Sequence, residues 1–438
     1  MTPGARSQTA IELLDNLPAG RAADRFLSGY FRSRRFIGSG DRRDIGDLAF
    51  SVFRRRAQLD WWIAEGSAGT IEPDNRARVI ANRALVDGWD ANAIGAAFDG
   101  GKYRPQTLSE GEAGLAGWIT SDTRTLDVPG QPRHVRYNYP EWLDPLLERS
   151  LGEGLEAEMA ALLDTAPVDL RVNRLKGTRE DALASLADDG VEATLAPYSP
   201  EGLRLPARRT LPTLKAFNSG LIEVQDEGAQ IASRLVDARS GHRVVDYCAG
   251  AGGKSLAMAA AMGGQGKIFA CDTSEARLAR LGPRLERSGI VDLIQGSLLD
   301  EEGFAETLEV GSFDRVLVDA PCSGIGTWRR NPDAKWRLTP EGLNHEIDRQ
   351  RNILTKAATL TAPGGRLVYV TCSVLRQENE DQIDWFLGAR SDYASIPVGG
   401  IWTDTIGGNA PEGDPGLRLS TARHGTDGFF VAILERLK

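Results

Sequence analysis

The chain has 438 residues, of which 41% are hydrophobic and 26% are charged, and its formal net charge is -9. This composition excludes a wholly disordered or fibrous protein, and the length predicts two or three domains. The negative charge argues against a protein that coats nucleic acid without specificity, although it leaves room for a local basic patch.

The N-terminal region, residues 1–132, is predicted to be a helical domain. Apolar residues repeat at helical spacing from Asp41 to about Ile63, and Ser39 or Asp41 is placed to cap the start of this helix. Arginines are concentrated in the same region, at Arg32, Arg34, Arg35, Arg42, Arg43, Arg54, Arg55 and Arg56. Such a cluster is compatible with a solvated helix face and with an RNA contact.

A small mixed unit is predicted to follow. Residues 126–140 have the proline and glycine content of a linker and close the helical region. After them come a helical stretch from Trp142 to about Leu163, a short strand in DLRVNRLKG, and a helix from Glu180 to Asp189. We therefore expect a small α+β subdomain over residues 138–225.

The pattern changes after Gln225 to buried strands that alternate with helices. The predicted strands are residues 243–248, 267–272, 292–296, 313–321, 365–373 and 429–436, and helices are predicted at 255–262 and 274–288. Continuous apolar strands between helices predict a parallel sheet that is covered on both faces, a doubly wound α/β fold over residues 226–438. Ligands of this fold bind at the carboxyl ends of the strands.

A glycine-rich segment, DYCAGAGGKS at residues 246–255, joins the first strand to a helix. Glycines let a ligand approach the backbone closely, and a helix N-terminus offers free N–H groups. A phosphate-binding P-loop needs glycine where Cys248 stands, and a dinucleotide fingerprint is broken by Ser255. The P-loop stays open as an alternative, because VLVDAP at residues 316–321 resembles the strand that accompanies such a loop.

A loop for S-adenosylmethionine fits this segment better. It needs an acid at the strand end, glycines beneath the ligand and a second acid after the next strand, and Asp246 and Asp272 supply both acids. Asp272 follows the glycines by about 20 residues, where a carboxylate can bind both ribose hydroxyls of a nucleoside. The alternative for Asp272 is a structural one, in which it helps to cap the next helix.

Two of the four cysteines follow predicted strands, Cys322 in DAPCSG and Cys372 in TCS. A buried cysteine is usually a small apolar residue, but if these strands are neighbours the two thiols emerge side by side at the ligand edge. Cytosine C5 is too weak a nucleophile to take a methyl group unaided, and a thiolate that adds to C6 makes it reactive. The pair therefore favours methyl transfer to carbon. The spacing of the cysteines does not predict a zinc site.

Together these segments resemble one family, the bacterial Sun-type (RsmB-like) RNA cytosine-C5 methyltransferases. The resemblance covers nearly the whole chain through LRVNRLKG, QDEGAQIA, DYCAGAGGKS, DAPCSGIGTWRRNPDAKW, YVTCSVLRQENED and HGTDGFFVAIL, in the family's order. It implies a NusB-like RNA-binding domain at residues 1–132, a small α+β RNA-binding subdomain at 138–225 and a Rossmann-like methyltransferase domain at 226–438.

The resemblance also implies a role for each site residue. Cys372 is expected to be the nucleophile, Cys322 to assist release of the product, and Asp319 to contact the amino and N3 edge of cytosine, where negative charge develops. The residues expected to bind S-adenosylmethionine are Cys248, Ala249, Gly250, Ala251, Gly252, Gly253, Lys254, Asp272, Ser297 and Asp319.

Two departures from the family pattern concern the cofactor. Gly250-Ala251 stands where the commoner loop has Ala-Pro, and Ser297 stands where the family usually has an aspartate that meets adenine. The target base must leave its stack to be methylated. Candidates to contact the RNA beside it are Arg329, Arg330, Lys335 and Trp336, and a purely structural loop is the alternative for them.

The resemblance thus implies a methyltransferase that acts on small-subunit ribosomal RNA before assembly. No apolar segment approaches the roughly 18 to 20 residues that cross a bilayer, and the N-terminus lacks a signal-peptide core, so we expect a cytoplasmic monomer without a membrane partner or metal. The alternatives are methylation of transfer RNA, a P-loop-like NTPase, and a ribosome assembly factor without catalytic activity.

Overall fold

The computed structural model describes residues 1–121, 124–206, 211–411 and 416–437. The chain forms two compact units by its internal contacts. The first comprises Met1–Glu148, Gly152–Asp164 and Trp328–Thr339, and the second comprises Arg149–Leu151, Thr165–Thr327 and Pro340–Lys438. Among the described residues, no helix combines the length and apolar character that crossing a membrane requires.

The first unit is helical, as predicted. Its helices are α1 (Pro3–Asp15), α2 (Ala23–Ser33), α3 (Ser39–Gly66), α4 (Asn75–Leu85), α5 (Ala91–Ala97), α6 (Glu110–Thr120), α7 (Arg133–Arg136), α8 (Asp144–Leu151, whose last residues belong to the second unit) and α9 (Leu155–Ala161). The apolar face of α3 packs into the core of this unit through residues such as Ile45, Leu48 and Val52.

The start of α3 differs from the prediction. Gly38 is the N-cap residue and no side chain caps the helix, so neither Ser39 nor Asp41 has the predicted capping role. The carboxylate of Asp41 instead accepts hydrogen bonds from the N-terminal ammonium of Met1 and from Nε of Arg6. Distant basic groups compete for this carboxylate, and sequence spacing alone does not show them.

A four-stranded antiparallel sheet of order β2-β3-β1-β4 begins the second unit, formed by β1 (Val168–Val172), β2 (Thr194–Leu195), β3 (Gly202–Leu205) and β4 (Ile222–Val224). Helices α10 (Arg179–Asp188) and α11 (Lys215–Asn218) accompany it. The strand and helix predicted here are confirmed. The helix predicted from Trp142 to Leu163 is instead broken at Gly152, whose φ is +50°, and residues 152–164 lie in the first unit.

A second, eight-stranded sheet carries the larger part of this unit. Its strands are β5 (Arg243–Asp246), β6 (Lys267–Asp272), β7 (Ile294–Leu298), β8 (Phe313–Asp319), β9 (Thr361–Thr371), β10 (Tyr393–Ile396), β11 (Leu417–Leu419) and β12 (Phe429–Arg436). The accompanying helices are α12 (Glu227–Leu235), α13 (Gly253–Ala261), α14 (Glu275–Leu278), α15 (Leu281–Ser288), α16 (Pro340–Ala358), α17 (Glu380–Ala389), α18 (Val398–Thr405) and α19 (Thr421–His424). The helix predicted at 274–288 is thus two helices.

The strand order is β10-β12-β9-β8-β5-β6-β7, with β11 beside β12. The five strands from β9 to β7 are parallel, whereas β12 and β10 run antiparallel. Successive residues alternate between two apolar cores, since Val244 belongs to one and Val245 to the other. The predicted Rossmann-like fold is confirmed, but the sheet is mixed rather than wholly parallel. An apolar run such as FFVAILER shows burial on both faces and does not show strand direction.

Candidate active site

The carboxyl ends of β5, β6, β8 and β9 surround a cavity of about 480 Å³. These strands are parallel neighbours, so the segments that follow them meet at one edge of the sheet. The cavity is lined by residues from each of these segments, including Cys248, Asp272, Asp319, Cys322 and Cys372. The structure therefore brings the two predicted thiols and the main predicted acids into one site.

The thiols of Cys322 and Cys372 form a close pair, with 3.4 Å between their sulfur atoms. Asp319 pairs with Val370 in the β8–β9 register, which sets the two following cysteines side by side. The hydrogen bond to Cys372 and burial raise the pKa of Cys322 well above its ordinary value, and the charge of Glu378 adds to this effect. The thiol of Cys322 therefore resists ionisation in this site.

A buried carboxylate, Glu378, ties the two cysteine segments together. One of its oxygens accepts hydrogen bonds from the backbone N–H of Ser323 at 2.8 Å and from Nε2 of Gln350 at 3.0 Å. The other accepts from the hydroxyls of Ser323 and Ser373, the residues that directly follow Cys322 and Cys372. Burial raises the pKa of Glu378, while these four donors favour its ionised form.

The next residue, Asn379, holds the end of β9 in place. Its Oδ1 accepts a hydrogen bond from the hydroxyl of Thr371, and its Nδ2 donates to the carbonyl of Ser373 at 2.9 Å. These residues flank Cys372 on either side. The backbone that carries the nucleophile candidate is thus fixed before any ligand binds, which is the condition for efficient positioning.

An ion pair between Lys254 and Asp319 lies beside the thiols, with 2.6 Å between Nζ and Oδ2. Burial acts to lower the pKa of Lys254, but the charge and hydrogen bond of Asp319 outweigh it and raise that pKa. Lys254 is the last residue of the predicted cofactor loop, and the structure directs its ammonium group to Asp319. The two therefore act as one unit at the wall of the cavity.

The glycine-rich loop bends sharply after β5. Gly250 and Gly252 have φ values of +58° and +77°, and a Cβ on Gly252 would lie 2.2 Å from Cδ1 of Leu281. Cys248, Ala249 and Gly250 line the cavity. Ala251, Gly252 and Gly253 do not line the cavity and form the turn behind it. Only glycine fits at position 252 of this turn.

Both strand-end acids of this region are held by the loop or the following helix. Asp272 accepts hydrogen bonds from the backbone N–H groups of Gly250 and Ser274, and it pairs with Arg277. Asp246 is buried beneath the loop, where burial raises its pKa to about 6; one oxygen accepts from Ser255, and among the described residues the other has no partner.

Ser297 does not contact the cavity, contrary to the prediction. Strand β7 extends to Leu298, two residues beyond the predicted end, so Ser297 lies within the strand. Its side chain is buried and shares a hydrogen bond of 2.9 Å with the hydroxyl of Thr307. The residues that line the cavity at this strand end are Leu299, Asp300 and Glu301.

The predicted RNA-contacting loop belongs to the helical unit, and the polar groups of two of its four candidates are hydrogen-bonded within that unit. Lys335 is 1% exposed and donates a hydrogen bond to the carbonyl of Asn138, and burial beside Arg54 and Arg55 lowers its pKa to about 7. The indole of Trp336 donates to the carbonyl of Phe53. Arg329 is also buried, and Arg330 is half-buried. The RNA-contact prediction is therefore not supported for Lys335 and Trp336, because their polar groups are already used inside the unit.

Helix α16 supplies a wall of the cavity that was not predicted. Arg349, Asn352, Ile353 and Lys356 lie on one helix face and line the site. The polar members of this set repeat at helical spacing in the sequence. The same spacing is typical of a solvent-exposed helix face, so it does not by itself predict a cavity wall. Among the described residues there is no cluster of three or more His, Cys, Asp or Glu side chains arranged to hold a metal.

The cavity and its acids are compatible with S-adenosylmethionine. A carboxylate at the end of β6, a tight glycine turn and the volume of the cavity match a nucleoside with an amino-acid tail. The residues that would hold it are Cys248, Ala249, Gly250 and Asp272.

Comparisons with known proteins agree with this site. Residues 233–435 match the family model of the 16S rRNA methyltransferase RsmB/F, and residues 139–211 match the ferredoxin-like domain of RsmF/B-like methyltransferases. A crystal structure of the protein PH0851 is 27% identical, covers 100% of this chain and 99% of its own, and superposes with a TM-score of 0.78.

Two relatives match over nearly their full length. The probable ribosomal RNA small subunit methyltransferase B of Synechocystis sp. is 32% identical over 90% of this chain and 91% of its own. The ribosomal RNA small subunit methyltransferase B of Erwinia tasmaniensis is 33% identical over 92% of both chains. The chain therefore belongs to the RsmB/F family of S-adenosylmethionine-dependent ribosomal RNA methyltransferases.

Proposed function

We propose that this chain methylates C5 of a cytosine in small-subunit ribosomal RNA through a covalent bond between Cys372 and C6. The observation that supports this proposal most directly is the pair of thiols, 3.4 Å apart, beside the acid Asp319 at the edge of the sheet. Methyl transfer to an oxygen or an exocyclic amine does not need a thiol nucleophile, whereas transfer to C5 does.

Cys372 begins the reaction as a thiolate that adds to C6 of the target base. The addition breaks the C5–C6 double bond and makes C5 a nucleophile. S-adenosylmethionine, when bound, supplies the electrophilic methyl group that C5 takes. The C5 proton then leaves, the double bond re-forms, and the C6–S bond breaks with its electrons returning to Cys372.

Cys322 is proposed to accept the C5 proton and so to assist release of the product. In the free site the hydrogen bond with Cys372 and burial raise the pKa of Cys322. Once Cys372 is bonded to C6 its sulfur is uncharged, and the main interaction that holds the proton on Cys322 is lost. Cys322 can then lose its own proton to water, take the C5 proton as a thiolate, and so allow the C6–S bond to break and the product to leave.

Asp319 is proposed to contact the amino and N3 edge of the cytosine. Negative charge develops toward N3 as sulfur adds to C6. Lys254 holds this carboxylate at 2.6 Å and so fixes its direction. The same ammonium group lies close enough to Cys372 to interact with its charge.

Asp300 is proposed to meet the adenine of the cofactor in place of Ser297. Asp300 lines the cavity, and its Oδ1 accepts the backbone N–H of Phe304 at 2.8 Å. The turn is anchored by Tyr247, whose hydroxyl donates to the carbonyl of Gly303. A carboxylate oxygen at the cavity wall can accept a hydrogen bond from the adenine amino group.

We further propose that the substrate is small-subunit RNA before assembly and that the chain acts as a cytoplasmic monomer. A base must be unstacked to reach the thiols, which is easier in RNA that ribosomal proteins have not yet covered. The division into a helical RNA-binding domain, a small RNA-binding subdomain and a catalytic domain, with boundaries near residues 132, 138 and 225, is part of the same proposal.

The test is methylation of purified small-subunit RNA by the purified chain with S-adenosylmethionine, read by bisulfite sequencing. One protected cytosine in free RNA, and less protection in assembled subunits, is the expected result. Protection only in transfer RNA would reassign the substrate. Methyl transfer without any bisulfite-resistant cytosine would refute C5 as the target.

A further inference from the structure

The turn between α2 and α3 presents an aromatic side chain to solvent. Phe36 is 83% exposed, the largest exposed fraction of any large apolar side chain in the described ranges. The chemistry of the catalytic site does not use this residue. An apolar ring held in water is unfavourable by itself and is commonly a contact site for a partner.

The turn that carries Phe36 is fixed rather than loose. The next residue, Ile37, is 2% exposed and is part of the core of the helical unit. Its backbone N–H donates to the carbonyl of Arg34, and its own carbonyl accepts a hydrogen bond of 2.7 Å from Nε of Arg42. Phe36 is therefore pre-positioned, and a ligand that binds it does not have to order the backbone.

The surroundings of Phe36 are strongly basic although the whole chain is acidic. Residues 32–43, which form the turn and the adjoining helix ends, contain five arginines and one aspartate, against a net charge of -9 for the chain. Arg32, Arg35 and Arg43 are exposed and have no ion-pair partner among the residues that the structure describes. Arg34 stacks on Tyr30 at 3.6 Å, beside a groove of about 430 Å³.

We propose that this surface, defined by Phe36 with Arg32, Arg35 and Arg43, binds single-stranded RNA outside the catalytic site. An unpaired base stacks on the ring of Phe36 and the adjoining phosphates contact the guanidinium groups. A duplex keeps the faces of its bases covered and cannot use the ring in this way.

A protein partner fits this surface less well. The cores of protein interfaces are depleted of charged residues, whereas here a single exposed aromatic ring lies in a turn between two helices that carry exposed arginines. The proposal rests on RNA being the substrate, but it does not depend on the chemistry of Cys372.

The test is binding of the full chain to a fluorescent single-stranded fragment of small-subunit RNA, measured by anisotropy over a range of salt concentrations. Phe36→Leu keeps an apolar side chain and removes the ring, so affinity should fall at least about fivefold, whereas Phe36→Tyr should retain it. Arg35→Ala should reduce the slope of log affinity against log salt by about 0.7 for one lost phosphate contact.

Tyr103→Ala is the matched control, because Tyr103 is an aromatic residue of the same unit that is 74% exposed and lies outside residues 32–43. It should leave RNA affinity unchanged. Equal affinities for Phe36→Leu and the original protein would overturn the proposal, as would a loss of self-association in Phe36→Leu by sedimentation with no change in RNA binding. Absence of C5 methylation would refute the proposed function and leave these binding results standing.

Discussion

The carboxylate of Glu378 accepts the backbone N–H of Ser323 at 2.8 Å and thereby joins the segment of Cys322 to the segment of Cys372. The same side chain receives the hydroxyls of both adjacent serines. One buried carboxylate thus fixes two strand ends that are far apart in sequence.

Replacement of Glu378 by glutamine should uncouple the two thiols. Glutamine keeps the size of the side chain, but its amide hydrogens would face the donors of Ser323, Gln350 and Ser373, which need an acceptor. We therefore expect kcat to fall about tenfold or more, while KM for S-adenosylmethionine stays unchanged. Loss of the negative charge should also lower the pKa of Cys322. Alkylation of Cys322 against pH, followed by peptide mass spectrometry, measures this shift.

The control for this variant is Glu380→Gln. Glu380 lies two residues after Glu378 in the sequence, and its carboxylate pairs with Arg418. Glu380→Gln should leave both kcat and the alkylation profile of Cys322 unchanged. A profile of Glu378→Gln that coincides with the original protein would refute the electrostatic role of Glu378, even if the variant were less stable.

The cofactor assignment predicts a contrast between Asp300 and Ser297. Asp300→Asn keeps the turn bond to Phe304 but places an amide N–H₂ group where an acceptor is needed, so affinity for S-adenosylhomocysteine should fall about tenfold. Ser297→Ala should change this affinity little, because Ser297 faces Thr307 inside the sheet. Isothermal titration calorimetry of both variants measures these affinities. A larger loss of affinity in Ser297→Ala than in Asp300→Asn would restore Ser297 to the adenine site.

Asp246 should make stability depend on pH. Its pKa in the folded chain is raised to about 6, above the ordinary value, so the folded state holds this proton more tightly than the unfolded state does. The stabilisation is complete below about pH 4 and is lost as the pH rises through 6. The melting temperature of Asp246→Asn, relative to the original protein, should therefore rise between pH 4 and pH 7. A difference in melting temperature that stays constant across this range would show that the pKa of Asp246 is not raised in the folded chain.

Lys335 should prove to be structural. Its ammonium group is buried and bonded to the carbonyl of Asn138, so Lys335→Met should leave RNA affinity unchanged while Arg35→Ala lowers it. Anisotropy with the same RNA fragment compares the two. Equal losses of affinity in both variants would return the loop of residues 329–336 to the RNA interface.

Some elements were predictable because local pattern and tertiary environment agree. The strands at residues 267–272 and 429–436 match the prediction residue for residue, since each is an apolar run with clear polar limits. The juxtaposition of Cys322 and Cys372 followed from the parallel neighbours β8 and β9.

Other features depended on contacts that the sequence does not show. The end of β7 lies two residues beyond the predicted one, and a shift of that size moved the cavity wall from Ser297 to Asp300. The loop around Lys335 was predicted to contact RNA, with a structural loop as the alternative, and Lys335 is buried within the helical unit. The polar face of α16 resembled a solvated surface, although Arg349 and Lys356 line the cavity.

The most direct test of the account is the fate of RNA after incubation with S-adenosylmethionine and each cysteine variant, separated on a denaturing gel. Cys322→Ala should accumulate a covalent protein–RNA adduct, because Cys372 can still add to C6 while release is impaired. Cys372→Ala should form neither adduct nor methylated RNA. Normal turnover by Cys322→Ala, or methylation by Cys372→Ala, would contradict the assignment of Cys372 as the nucleophile and Cys322 as the residue that releases the product.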